Sequence, residues 1–223
     1  SGLGVRLRKK GEPIGQFSPG LIVQERIEGR HISSLSLFEA GHDLCTVLYE
    51  GIVFADTVAV CSQRIRALPQ VSNWVEKFAL AADLTGFFAL DFILDEHGVP
   101  WVIECNPRVT SGIHFFDGQS TAQALLNPGS ESTVRLKDFP SRYQWGYSTL
   151  TEVWRSVFEP EEFFKKIRHM LSARDAVWDR SDPWPFILMM PMSSGLLWEA
   201  MRSSMTLGEV SQRDIAWMAE SGE

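Results

Sequence analysis

The stretch that decides the fold is Asp91–Val109, "DFILDEHGVPWVIECNPRV". Two apolar runs, "FFALDFIL" at 87–94 and "VPWVIECN" at 99–106, flank the turn-forming "DEHG" at 95–98 and read as a β-hairpin. Pro100 falls at the start of its strand, where a missing N–H is tolerated. Side chains two apart share a strand face, so Glu104 and Asn106 are expected to point the same way as Val102. A tight turn at Glu96-His97 pairs Asp95 with Gly98 and carries Asp91 opposite Val102, diagonal to Glu104. Asp91, Glu104 and Asn106 then converge on one face, with Arg108 just beyond the strand end. The face depends on the turn: one more residue in it sends Asp91 to the other side.

Two half-buried carboxylates this close repel unless one is protonated or a cation bridges them. Carboxylate and amide oxygens are hard ligands suited to Mg²⁺ or Mn²⁺, ions that commonly bridge substrate phosphates. The competing reading is a plain solvated sheet face on which Arg108 pairs with Glu104. Spacing alone leaves both open.

Outward from the hairpin, "LIVQERI" (21–27) and "HISSLSLF" (31–38) read as strands joined by a turn around Gly29. "AGHD" (40–43) marks another turn, followed by strand-like runs at 44–49 and 52–60. Residues 73–84 predict a helix capped by Asn73 with Glu76 at N3, with Trp74, Phe78 and Ala82 on one face and Gly86 just past its end. Beyond "NPGSEST" (127–133) the composition changes. Helices are expected at 149–158 and at 160–171, the second with Pro160 at N1 and Phe163, Phe164, Ile167 and Leu171 turned to a core. A loop follows at 179–185. The tail from 193 to 219 reads as helical, interrupted near Gly208. "WPFILMMPMSSGLLW" (184–198) is shorter than a membrane span and reads as core or subunit interface.

Composition bounds the function. A chain of 223 residues with 44% hydrophobic content can bury a sizeable core, and a net charge of −7 argues against a general nucleic-acid binder. The basic run Arg6, Arg8, Lys9, Lys10 reads as a solvated strand or turn. Cys45, Cys61 and Cys105 are odd in number and hold no C-x-x-C pair, which points to a reducing, cytoplasmic setting. Neither a signal peptide nor an 18-residue apolar run is present. The chain opens "SGLGV" without Met and is expected to be part of something longer.

With these residues in view, "DFILDEHGVPWVIECNPRVTSG" resembles the metal-binding hairpin of the ATP-grasp superfamily, an acid on one strand and E-x-N-x-R on the next. "LIVQERIEGRHIS" is similar to that family's hinge strand and turn, at the right distance upstream. The likeness covers about residues 20 to 125 and has the flavour of carbamoyl-phosphate synthetase large subunits, biotin carboxylase and D-alanine–D-alanine ligase. It implies an α+β fold, a mostly antiparallel sheet with flanking helices. An ATP-grasp large lobe with the tail of the small one would occupy 1–130, and a mostly helical extension 131–223.

The resemblance also implies roles. Asp91 and Glu104 would bridge two Mg²⁺ ions on ATP phosphates, Asn106 would ligate one of them, and Arg108 would hold the γ-phosphoryl or acyl-phosphate oxygens. Gln24 would reach the adenine amino group, and Glu25 and Ile27 would offer backbone groups to the ring edge. His31 matches a ribose-contacting position, and Thr110, Ser111 and Gly112 the phosphate- and substrate-facing loop. The activity implied is an ATP- and Mg²⁺-dependent carboxylate–amine ligase working through an acyl phosphate on small-molecule carboxylate and nucleophile substrates. The alternatives are a non-catalytic nucleotide-binding or regulatory module and a metal-free structural domain. One departure stands out: nothing ahead of residue 20 resembles the family's glycine-rich phosphate loop or its lysines. A missing upstream segment or a homo-oligomer is therefore expected to complete the site.

Overall fold

The computed structural model describes residues 22–55, 58–129, 133–203 and 210. The basic run at 6–10 and most of the tail beyond 203 lie outside them. The described strands and helices run β1 (Arg30–Glu39), β2 (His42–Ala55), β3 (Val58–Ile65), α1 (Pro69–Ala81), β4 (Gly86–Leu94) and β5 (Pro100–Asn106). They continue with a 3₁₀ helix (Ser111–Phe115), α2 (Gly118–Leu126), β6 (Arg142–Gln144), α3 (Gly146–Arg155), α4 (Pro160–Ser172), β7 (Arg174–Asp175) and α5 (Trp184–Ser203). The chain divides into two compact units, one of residues 22–51 and 62–141, the other of 52–61 and the residues from 142 onward. The fold class is α+β: β1 pairs antiparallel with β2 and β4, and β4 with β5, while β6 and β7 are parallel.

In the first unit the strand order is β5-β4-β1-β2-β3. One face of this sheet buries Ile32, Phe38, Leu48, Phe88, Leu90 and Phe92 against Val71, Val75 and Ala79 of α1. Trp74 seals the edge, stacked on Phe78 at 5.3 Å and edge-on to Phe92 at 5.7 Å. Because alternate residues of β4 go to this core, Asp91, between Leu90 and Phe92, must face the other way. The opposite face carries the 3₁₀ helix, where Gly112 lies so close that an added Cβ would come within 2.6 Å of Leu35 Cβ and 2.8 Å of the Tyr49 ring.

Several sequence expectations are corrected here. Residues 22–28 form no strand. Gly29 does serve the turn, since a Cβ there would collide with the Leu94 carbonyl. The runs at 44–49 and 52–60 are not two strands divided near Gly51. His42–Ala55 is one strand through Gly51, and Val58 begins the next. Helix α1 starts at Pro69, not Asn73: Pro at N1 supplies the start, and no side-chain cap is made. It ends at Ala81, and both Asp83 (φ 46°) and Gly86 (φ 104°) take positive φ between the helix and β4.

In the second unit the order is β2-β3-β6-β7, with a small core of Val53, Val60 and Cys61. Helix α3 runs from Gly146 to Arg155 rather than over 149–158. Its first turn is fixed by Asp175, whose Oδ2 accepts from Gly146 N at 2.6 Å. Helix α4 keeps Pro160 at N1, but Phe164 and Leu171 are 67% and 78% exposed, so its apolar stripe is only partly covered within the described residues. The expected loop at 179–185 ends earlier, because Trp184 already begins α5, which continues through Pro191. Among the described residues that helix leaves Trp184, Met192 and Trp198 largely exposed. Among the described residues no helix is long and apolar enough to cross a membrane.

Candidate functional site

The hairpin brings Asp91 and Glu104 together by a different route from ideal alternation. Asp95 O accepts from Gly98 N at 3.0 Å and Asp95 N donates to Val99 O at 3.1 Å, so the connection is one residue longer than a two-residue turn. Gly98, at φ 76°, supplies the left-handed residue that such a loop needs. Asp95 stabilises it, accepting from His97 N, Val99 N and the Trp101 indole at 3.0, 2.8 and 2.9 Å. The pairs Leu94–Pro100, Ile93–Trp101 and Phe92–Val102 follow. Continued regularly, that register would set Ile103 against Asp91 and turn Glu104 to the core. Instead a β-bulge leaves Ile103 extra, and Asp91 pairs directly with Glu104.

The bulge has a physical cause. Val102 packs against the core with Phe92, whereas Glu104 must stay in water. Two residues separated by an even spacing cannot occupy opposite faces of a regular strand, and one extra residue resolves the conflict. The expectation that Val102 and Glu104 share a face is therefore corrected, while Asp91, Glu104 and Asn106 do share one.

That face carries a continuous cross-strand row, Tyr49–Ser33–Asp91–Glu104, over β2, β1, β4 and β5. Ser33 Oγ donates to Asp91 Oδ1 at 2.5 Å, and Asn106 Nδ2 reaches Asp91 Oδ2 at 3.5 Å. Burial pushes the Asp91 carboxyl above its usual range. The Ser33 hydrogen bond opposes this, the Glu104 charge adds to it, and the charges of His31 and Arg108 pull it back. His31 lies on the same face as Ser33, one pair along β1, and is exposed. Glu104 and Arg108 are also exposed, and no ion pair joins them among the described residues; the Arg108 guanidinium donates to the Val109 carbonyl at 3.3 Å. The reading in which Arg108 neutralises Glu104 is thus not the arrangement found.

Beyond Arg108 the chain turns into the 3₁₀ helix. Thr110 Oγ1 and the Tyr49 hydroxyl lie 3.0 Å apart, and Ser111 begins the helix half-buried. Burial raises the Tyr49 phenol's pKa, the Thr110 hydrogen bond counters it, and the Asp91 charge raises it further. Gln24 and Glu25 are exposed and Ile27 half-buried in an irregular segment. Ser33 and Tyr49 are the members that sequence reading missed. The alternation in "HISSLSLF" does put Ser33 in phase with His31, but only the pairing of β1 with β4 reveals its partner.

The residues fit a divalent cation in part. Among the described residues no three or more His, Cys, Asp or Glu side chains converge, so the protein offers two carboxylates and an amide. Such a donor set leaves coordination positions for phosphate oxygens or water rather than forming an all-protein cage. In the second unit, a cavity of about 320 Å³ is walled by Tyr147, Leu150, Trp178 and Phe186. Its carboxylate, Asp175, is spent on the backbone N–H groups of Gly146, Val177 and Trp178.

No curated protein sequence matches this chain. Among solved structures, the biotin carboxylase β,γ-ATP complex of Campylobacter jejuni is 13% identical over 51% of this chain and 29% of that one, with a TM-score of 0.39. The L-amino acid ligase of Bacillus licheniformis is 20% identical over 50% of this chain and 34% of that one, at 0.36. The phosphoribosylaminoimidazole carboxylase ATPase subunit of Aquifex aeolicus is 17% identical over 42% and 29%, also at 0.36. The chain thus spans about a third of the length of each. The sequence model of the ATP-grasp domain matches residues 1–112, half of the chain and the whole hairpin. This chain belongs to the ATP-grasp family.

Proposed function

We propose that the chain contributes the large-lobe half of the nucleotide site of an ATP-dependent carboxylate–amine ligase. The observation that carries this reading is the direct Asp91–Glu104 pairing, with Asn106 on the same face and, among the described residues, no ion pair from Arg108 to either carboxylate. Burial and the neighbouring Glu104 charge both disfavour an ionised Asp91, and a cation loaded with phosphate would relieve both.

In this reading Asp91, Glu104 and Asn106 would hold Mg²⁺ or Mn²⁺, whose chemistry would be to neutralise phosphate charge. Arg108 supplies a planar fork to the phosphoryl or acyl-phosphate oxygens. His31 lies within electrostatic reach of Asp91 and is assigned to the ribose, Ser111 to the phosphate-facing loop, and Gln24, Glu25 and Ile27 to the adenine. A substrate carboxylate oxygen attacks the γ-phosphorus, the bond to the β-bridging oxygen breaks and ADP leaves. The amine then attacks the acyl carbon, loses a proton and expels phosphate carrying that carboxylate oxygen. The chain's part is positioning and charge neutralisation.

The test is isotopic. The full-length protein, given ATP, Mg²⁺, an amine mixture and a panel of ¹⁸O-labelled carboxylates, should transfer ¹⁸O into phosphate with at least one of them. Mg²⁺-dependent ADP formation with amide product but no ¹⁸O in phosphate would contradict the acyl-phosphate route.

A further inference from the structure

We infer that Ser33 and Tyr49 are positioning residues that lock the Asp91 carboxylate and the loop after Arg108 into one unit for cation binding. This rests on the metal-site reading above and adds to it two residues outside the hairpin. The row Tyr49–Ser33–Asp91–Glu104 crosses four strands without a gap, so Ser33 and Asp91 each have a fixed neighbour on either side. A serine hydroxyl has one proton to give, and Ser33 gives it to Asp91 Oδ1 at 2.5 Å. That bond fixes the rotation of the carboxylate and turns Oδ2 toward Asn106, on the side where Glu104 lies.

Tyr49 works from the other end of the row. It is 6% exposed, its ring rests 5.9 Å from that of Phe115, and Gly112 is pressed against its edge. Its hydroxyl meets Thr110 Oγ1 at 3.0 Å, two residues after Arg108. The strand ladder thereby sets where the loop leaves the sheet. An oxygen ligand held by a neighbour loses less freedom when the cation arrives, which is the physical content of preorganisation.

The experiment uses the full-length protein and Mn²⁺ with a non-hydrolysable ATP analogue, with bound Mn²⁺ read by electron paramagnetic resonance. Ser33→Ala should weaken Mn²⁺ binding about tenfold, the scale of one hydrogen bond to a charged group. Ser33→Thr, which keeps the hydroxyl on a strand-favouring side chain, should restore it to within about threefold. Tyr49→Phe should weaken binding several-fold, and the double variant S33A/Y49F should bind within about twofold of S33A, because coupled residues do not add. Unliganded melting temperatures should differ little between S33A and S33T. Asp91→Asn separates the two levels of the argument. If D91N leaves Mn²⁺ binding intact, the metal-site reading itself fails. If D91N abolishes binding but S33A binds like the wild type, or S33T is no better than S33A, the positioning role alone is overturned.

Discussion

Asp91 and Glu104 are direct cross-strand partners, and they meet only because two one-residue irregularities in the hairpin compensate each other. The longer connection through Gly98 shifts the register once, and the bulge at Ile103 shifts it again. The first lets Val102 reach the core beside Phe92; the second returns Glu104 to the polar face. Deleting Ile103 should therefore straighten the strand without changing faces, since Glu104 would follow Val102 as its immediate neighbour. The deletion variant is expected to fold and to retain Mn²⁺ binding by electron paramagnetic resonance. Loss of binding in a folded variant would mean that the bulge itself, and not only the face, shapes the site.

Gly112 is the tightest point between the 3₁₀ helix and the sheet. Its backbone is not in the left-handed region, so the cost of Gly112→Ala is steric: a methyl group 2.6 Å from Leu35 Cβ, on a strand buried on both sides. The expected destabilisation is about 2 kcal/mol, typical of overpacking a closed contact. Urea unfolding of the full-length protein measures it, and an unchanged midpoint would contradict the packing described.

Asp95 ties the hairpin loop through three N–H donors, and its carboxyl is held below the usual carboxylate range, by the Trp101 indole above all. A carboxylate depressed in the folded state contributes stability above its unfolded value near pH 4, and that contribution is lost as pH falls through the folded value. Asp95→Ala should lower the melting temperature at pH 7 and make the acid limb of melting temperature against pH shallower. Parallel limbs for variant and wild type would remove the assigned role.

Much of this was legible in the sequence. The hairpin, the shared face of Glu104 and Asn106, and the position of Arg108 follow from alternation; Asp91 joins that face only through the longer loop and the bulge together. The register does not, because an apolar Val102 and an acidic Glu104 make opposite demands at even spacing, which regular alternation cannot meet. Ser33 and Tyr49 were invisible for another reason: their partners lie 58 and 61 residues away, and strand order is a tertiary fact. The start of α1 was legible in Pro69 but was outweighed by the capping pattern at Asn73.

The central claim, that this polar row holds a cation on nucleotide phosphates, is tested most directly by Glu104→Gln in the full-length protein. The substitution removes one charge and preserves shape. Turnover should fall at least ~10²-fold, the scale of losing one preorganised charge contact at a transferring phosphoryl group. The melting temperature without ligand should hold or rise, because the Asp91–Glu104 repulsion is relieved. Its increase on adding Mg²⁺-ATP should shrink. A clear drop in unliganded melting temperature with turnover retained would contradict the account.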